Sequence, residues 1–323
     1  FFKLCKLFTT NRLFMPFRLL KISVLLITFV FATSYCYVQD NKHQKIELEL
    51  EKWKKSKDLD GASWAFSAYN ITQDSVIASH NEQLRLVPAS TLKILTTGTI
   101  LEISKNFRFK TVFGYKGKIN KNGVLDGDIL IKGYGDPTLG NAYFGKETTI
   151  DSVFTKVYNK LKQLQISSIN GNIIADASLF GYTLQPPGYL WEDVGNYYGS
   201  GVSSLNINEN RIKITFQSGQ TIGSPTQIIY TDFHPDSIEY INMLTSGPKN
   251  SCDNAYIFSS PLQSKYVIIG TIPSERKEFT IYGANPNPAA SYGYFLMKFL
   301  NHKGIQINGN IKVKYSSDTI NYT

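Results

Sequence analysis

From Arg108 to about Glu278 the chain keeps interrupting its own apolar runs. Short stretches such as Thr111–Tyr115, Gly127–Lys132, Gly171–Asp176, Arg211–Phe216 and Tyr266–Gly270 are separated by Gly, Asn and Pro. Runs of this length, rich in branched and aromatic residues and bounded by turn formers, read as β-strands. One segment, about Ile150–Leu164, has the apolar period of a helix. A chain of 323 residues that is 42% hydrophobic holds material for about two domains. The interrupted stretch is long enough to form a β-rich one with its own core. We read no internal repeat and no low-complexity tract in it.

The flanking segments have a different character. Asn41–Leu59 is charged, with Ile46, Leu48, Leu50 and Trp53 interspersed, which predicts an amphipathic helix. Ser63–Tyr69 and Ser75–Ser79 alternate around Asn70, Thr72 and Asp74, as two antiparallel strands joined by a short turn do. After Pro88 the apolar residues Leu92, Leu95, Ile100, Leu101 and Ile103 fit a helix, with the proline where its fixed φ is tolerated. Near the other end, Pro288–Lys303 predicts an amphipathic helix and Gly309–Tyr315 a strand.

The first residue is Phe, so residues 1–14 carry no weight in this reading. From Met15 the order is a short basic segment, an apolar stretch from Ile22 to Phe31 and small residues at Ala32 and Ser34. That is the order of a secretory signal peptide, with cleavage expected after Ser34. The stretch is short against the roughly 20 residues of a membrane span, a retained anchor being the alternative. The expected location is the periplasm or the outside of the cytoplasmic membrane.

The net charge of +9 invites a nucleic-acid reading. Five of the 34 basic residues (Lys3, Lys6, Arg12, Arg18 and Lys21) lie before residue 35, where there are no acids, leaving 29 against 25. Such a mild excess implies no nucleic-acid partner and is compatible with an anionic wall or membrane surface. Cys5, Cys36 and Cys252 give no metal-type spacing and imply no disulfide framework, although a Cys36–Cys252 bond stays open. His43, His80, His234 and His302 are scattered without ligand spacing.

Ser90-Thr91-Leu92-Lys93 places a hydroxyl and an amine three residues apart at the start of the predicted helix. Residues so spaced share a helix face, so the amine can reach the hydroxyl. Serine becomes a nucleophile when an adjacent base takes its proton, and lysine can be that base when burial lowers its pKa. Leu92, Ile94 and Leu95 are the residues expected to supply the desolvation. Backbone N–H groups at the helix start could assist an oxyanion. The spacing alone is common, and a helix cap beside a solvated lysine explains it equally well.

Context adds specificity. Val87-Pro-Ala-Ser-Thr-Leu-Lys93 with Thr96-Thr97, Gly133-Tyr-Gly-Asp-Pro-Thr-Leu139, Trp191-Glu-Asp193 with Tyr197-Tyr198, and Ser203-Ser-Leu-Asn-Ile-Asn-Glu-Asn210 follow one another in order. With Gly270-Thr-Ile-Pro273 and Asn285-Pro-Asn-Pro-Ala289, the chain resembles the low-molecular-mass class C penicillin-binding proteins from about Leu59 to Tyr315. These are serine D-alanyl-D-alanine carboxypeptidases that also act as endopeptidases.

The resemblance implies an α+β, β-lactamase/transpeptidase-like catalytic domain split by a large β-rich insertion. It places the catalytic domain in residues 35–111 and 279–323, with the insertion at 112–278. It implies acyl transfer from peptidoglycan stem peptides to Ser90, with Lys93 as proton acceptor, β-lactams as covalent inhibitors and no cofactor. The family's Ser-x-Asn and Lys-Thr-Gly elements are not found after Pro288, so the expectation is a catalytic domain incomplete at its C-terminal side and a sequence truncated at both ends. A β-lactamase-like hydrolase and a non-catalytic wall-binding protein are the competing readings.

Three further candidates have two readings each. Asp136 in Gly-Asp-Pro is either a turn residue or a carboxylate facing a substrate amino group. Trp191, Glu192 and Asp193 read as packing and capping residues rather than catalytic ones. Ser251-Cys-Asp-Asn254 is either a substitute for the missing Ser-x-Asn element or a turn before the strand Tyr256–Phe258, and its extra residue and its place in the insertion favour the turn.

Overall fold

The computed structural model describes residues 44–232 and 238–316. The predicted signal peptide, Cys36, His43 and His234 lie outside them. The chain divides into two compact units, with the boundary between Lys105 and Asn106.

In the first unit, helix α1 covers residues 44–54 and buries Leu50, while Trp53 meets Phe66 edge-on at 5.8 Å. Strands β1 (Phe66–Asn70) and β2 (Ser75–His80) form the expected antiparallel hairpin, Phe66 facing His80. Its turn is set by Asn70, whose side-chain oxygen accepts from the N–H groups of Thr72 and Gln73 at 3.0 and 3.1 Å. His80 stacks on Trp64 at 4.2 Å. Helix α2 (Leu92–Ile103) then follows one 3-10 turn, Ala89–Thr91.

The second unit holds two cores. The first lies beneath a sheet built on the long strand β4 (Val124–Gly133). Strand β3 (Thr111–Ile119) runs antiparallel along one edge of β4. Along the other edge β4 pairs in parallel with β5 (Ser168–Ile169) and then β6 (Ile173–Asp176). Helix α3 (Ile150–Gln163) lies between β4 and β5 in the chain, is capped by Thr149 and buries Val153, Phe154, Val157 and Leu161 on one face. That spacing is what placed a helix there in the sequence.

Between β6 and the next long strand, a short helix α4 (Trp191–Val194) packs against the second core. That core lies between two sheets. One is β8 (Gln227–Thr231) against β7 (Arg211–Gln217) against β13 (Phe279–Ala284), all antiparallel. The other centres on β12 (Lys265–Pro273), which pairs with β9 (Glu239–Asn242), β10 (Thr245–Gly247) and β11 (Asn254–Phe258). Ile214, Phe216, Ile257, Tyr266 and Ile268 fill the space between them. The Tyr266 hydroxyl, held protonated by its burial, donates to the Ala284 carbonyl at 2.6 Å.

After β13 the chain returns to the first core. Helix α5 (Pro288–His302) is capped by Asn287, and strands β14 (Gln306–Ile307) and β15 (Ile311–Lys314) extend the β4 sheet beside β5 and β6. Tyr292 of α5 meets Phe154 of α3 at 5.3 Å. Among the described residues β13, α5, β14 and β15 complete both cores of the second unit. The apolar face of α5 needs a partner surface, and the β4 sheet with α3 supplies it.

The structure also shows a repeat where none was read. Leu125-Asp-Gly-Asp-Ile129, Ile169-Asn-Gly-Asn-Ile173 and Ile307-Asn-Gly-Asn-Ile311 are three copies of one pattern, aligned across the sheet. Asp128 accepts from the backbone N–H of Asn172 at 2.6 Å, and Asn172 in turn accepts from that of Asn310 at 3.1 Å. The glycines leave room for neighbouring backbone: a Cβ on Gly171 would sit 2.2 Å from the Gly127 carbonyl oxygen, and one on Gly309 the same distance from that of Gly171. Gly117 of β3 faces Gly127, and a Cβ there would meet the Asp126 oxygen at 2.3 Å. Gly171→Ala is expected to cost at least about 1–3 kcal/mol, because main chain cannot yield as a side chain does. Urea denaturation of the variant checks this, and an unchanged midpoint would mean that the strands can separate without loss.

Candidate active site

Ser90 lies in the 3-10 turn that runs directly into α2, and the Lys93 amine approaches its hydroxyl oxygen at 3.3 Å. The i, i+3 spacing thus does bring the two groups together, within reach for a proton to pass between them once the approach tightens. Thr97, one helical turn on, donates its hydroxyl to the Lys93 carbonyl, and Thr91 donates to that of Pro88. Ala89, immediately before the serine, has φ +44°. A left-handed alanine costs about 1–2 kcal/mol, and strain of this kind gathers at functional turns.

The expected desolvation of Lys93 is not supplied by its neighbours. Leu92, Ile94 and Leu95 are 50, 74 and 68% exposed, and both Ser90 and Lys93 are exposed. No residue of α2 is buried, although Ile100, Leu101 and Ile103 are also large and apolar. Local sequence can put apolar residues beside a lysine, but only packing from other elements removes water from it.

Asp136 follows β4 in the second unit, where it makes a parallel bridge to Leu205. One carboxylate oxygen accepts from the Thr138 backbone N–H at 2.9 Å and the Thr138 hydroxyl at 2.7 Å, so the turn reading holds. The same residue lines an open groove of about 490 Å³, together with Lys110, Glu147, Lys156 and Lys160. The two readings do not exclude each other, because the turn occupies one oxygen only. The buried Tyr292 hydroxyl is pushed up by burial and, secondarily, by the Asp136 charge.

The loop Ser203–Asn210 is tied together by buried amides. Asn206 accepts from the Ser203 N–H at 3.2 Å and the Asn210 amide at 2.7 Å, and donates to the Asp136 carbonyl at 3.2 Å. No catalytic pattern flagged Asn206 or Asn210, since a buried amide network is visible only once chain ends meet.

The remaining candidates are placed structurally. Trp191, Glu192 and Asp193 form α4 on β11, where Trp191 faces Phe258 at 6.4 Å and the Glu192 carbonyl accepts from the Asn196 amide at 2.6 Å. The Ser251 hydroxyl bonds the Pro248 carbonyl at 2.8 Å, which makes the predicted turn ahead of β11. Cys252 is free and exposed. His302 ends α5. Among the described residues no group of His, Cys, Asp and Glu could hold a metal ion.

Residues 46–320, the Ser90–Lys93 pair and the Asp136 turn included, match the D-Ala-D-Ala carboxypeptidase 3 (S13) family. The chain belongs to that family. It is similar to the D-alanyl-D-alanine carboxypeptidase DacB of Haemophilus influenzae, at 25% identity over 78% of this chain and 50% of that protein. It is also similar to the crystal structure of penicillin-binding protein 4 (dacB) from the same organism, with TM-score 0.60, 24% identity, and coverage of 78% of this chain and 53% of that one. A second structure of that protein, complexed with a novel β-lactam, gives TM-score 0.55 at 22% identity, covering 80% and 53%. The likeness gives the S13 chain its fold, the mixed α and β, β-lactamase/transpeptidase-like class. The chain spans about half the length of these relatives.

Ala89→Gly tests the strained turn. In place of the loss usual for Ala to Gly, it is expected to leave the thermal midpoint unchanged or raise it, since glycine adopts positive φ freely. A drop of several degrees would mean that the turn carries no strain.

Proposed function

We propose that this member of the S13 family is a serine D-Ala-D-Ala carboxypeptidase and endopeptidase. In this reading it acts on peptidoglycan stem peptides outside the cytoplasmic membrane, after export on the segment ending at Ser34. The observation that carries the mechanism is the 3.3 Å approach of Lys93 to Ser90 at the head of α2.

The Lys93 amine takes the Ser90 proton as the oxygen attacks the carbonyl between the two D-alanines. The tetrahedral intermediate collapses, the C–N bond breaks, and the proton passes to the departing amine of D-alanine. Water, deprotonated by the same lysine, then releases the shortened peptide. Where the amine belongs to a cross-linked neighbour, the same steps make an endopeptidase. A β-lactam carbonyl offers Ser90 the same chemistry, and the relative's β-lactam complex supports that part of the reading.

For lysine to act as base its charged form must be disfavoured. A helix apolar on every side, as α2 is, is built to be enclosed, and the cover that encloses it would also desolvate Lys93. Asp136, with one carboxylate oxygen outside its turn, would receive an amino group of the stem peptide in the groove it lines.

Expressed from its intact gene, the protein is expected to be labelled covalently by a fluorescent penicillin, and Ser90→Ala to abolish the label. Normal labelling of that variant would remove Ser90 from the mechanism. Lys93→Ala is expected to slow acylation at least ~100-fold while the thermal midpoint holds; an unchanged rate would mean another base. Asp136→Asn is expected to raise KM for amine-bearing stem peptides and leave penicillin labelling as it is. Equal effects on both would make Asp136 a turn residue alone.

A further inference from the structure

The turn segment that carries Asp136 has a second side. Residues 136 and 138 face the groove already described, whereas Gly135 and Pro137 line a separate groove of about 350 Å³. Its walls include Phe144 and Phe180, both about half exposed, its floor holds the buried Ser203 and Asn206, and the exposed Glu209 lies at its rim. Gly135 has φ +85°, and a Cβ there would lie 2.9 Å from the Phe180 ring, so glycine lets the ring close this wall. Concave sites of this volume, with aromatic walls and a few convergent polar groups, are the usual form of a small-molecule site.

The groove rim is strained. Asn208, Glu209 and Asn210 are consecutive left-handed residues, with φ of 51, 56 and 52°. Asparagine tolerates this conformation, but glutamate gains nothing from it. What the conformation achieves is placement: the Glu209 carboxylate is delivered to the groove, where it is held by the Asn141 amide and by the Arg211 guanidinium at 3.4 Å.

Those partners also decide the ligand class. Arg211 already balances the Glu209 charge, so the groove gives an ammonium group no unpaired anion. Hydrogen-bonding capacity does remain. One Asn206 N–H is used by the Asp136 carbonyl while the other is unspent, and the Ser203 hydroxyl, which accepts from the Leu205 N–H, donates its own proton to no acceptor among the described residues. The carboxylate keeps lone pairs. Donors and acceptors beside phenyl walls suit a neutral ring that both donates and accepts along its edge and offers C–H bonds on its face.

We infer that this groove binds an N-acetylated amino sugar of a glycan chain, the acetamido carbonyl taking the free Asn206 N–H and the sugar face lying on Phe144 or Phe180. The sugar assignment rests on the groove itself. Its meaning, that peptide and glycan of one polymer lie on opposite sides of residues 135–138, rests on the stem-peptide reading of Asp136.

Titrating the whole chain with the trimer of N-acetylglucosamine, followed by calorimetry and by NMR of fluorinated phenylalanine, tests it. Saturable binding is expected at millimolar concentration, with shifts at Phe144 and Phe180. Phe144→Ala is expected to weaken binding ~10-fold, and Val202→Arg, which fills the groove from an exposed position, to abolish it. Cellotriose, which lacks the acetamido group, is expected to bind less tightly. No saturable binding, equal binding of cellotriose, preference for a lysine-ended peptide, or indifference to both variants would each overturn the proposal. Penicillin labelling of the intact gene product should be unaffected by Phe144→Ala, which separates a failure here from a failure at Ser90.

Discussion

The second unit depends on how closely four backbones can approach one another. Gly117, Gly127, Gly171 and Gly309 form a row across β3, β4, the β5–β6 junction and the β14–β15 junction, and at all four a Cβ would fall within 2.3 Å of a neighbouring carbonyl oxygen. That proximity is tolerable because the flanking Asp and Asn side chains take over the hydrogen bonds that the interrupted strands give up. The three aligned copies of the pattern fix register by two means at once. A one-residue slip would bring a side chain into main chain and turn Ile129, Ile173 and Ile311 away from the core.

That register is what positions the chemistry of this unit. From the glycine row β4 runs on to its end at Gly133, whose Cβ would lie 2.0 Å from the Ser204 carbonyl oxygen, and the chain then turns at Asp136. The strand segment and the Ser203–Asn210 loop are therefore pressed together main chain to main chain. The Asn206–Asn210 network closes the seam, and Asn285 joins it by donating its N–H to the Asn210 carbonyl at 2.7 Å. The turn at Asp136 then leaves two grooves of different character on its two sides, lined by alternate residues of the four from 135 to 138. One has carboxylates and amines; the other has phenyl walls and amides.

Much of the fold was legible because local pattern and burial agree in it. The α3 and α5 spacings predicted buried faces that the structure has, and the β1–β2 hairpin and the Asp-Pro turn at Asp136 were read as they fold. Three features were not legible. The repeat escaped notice because its signature is five residues long and its copies are separated by intervals of very different length; only pairing makes them equivalent. The sheet that receives α5 was not legible because Asn285-Pro-Asn-Pro-Ala289 announces a helix start but not the surface it packs on. The groove at Glu209 was missed because three asparagine-rich residues in left-handed conformation look, in sequence, like any polar turn.

The Ser90–Lys93 pair shows a different limit. Spacing determined that the two groups meet, and the structure has them 3.3 Å apart. Reactivity depends on something spacing does not contain, the removal of water from an amine. A lysine takes a serine proton only where its surroundings disfavour the charged amine. In our reading the same property that makes α2 unsuited to solvent, apolar residues on all its sides, makes it suited to convert that lysine. Any packing that satisfies the helix also strips the amine of water, so assembly around α2 and activation of Ser90 would be one event rather than two.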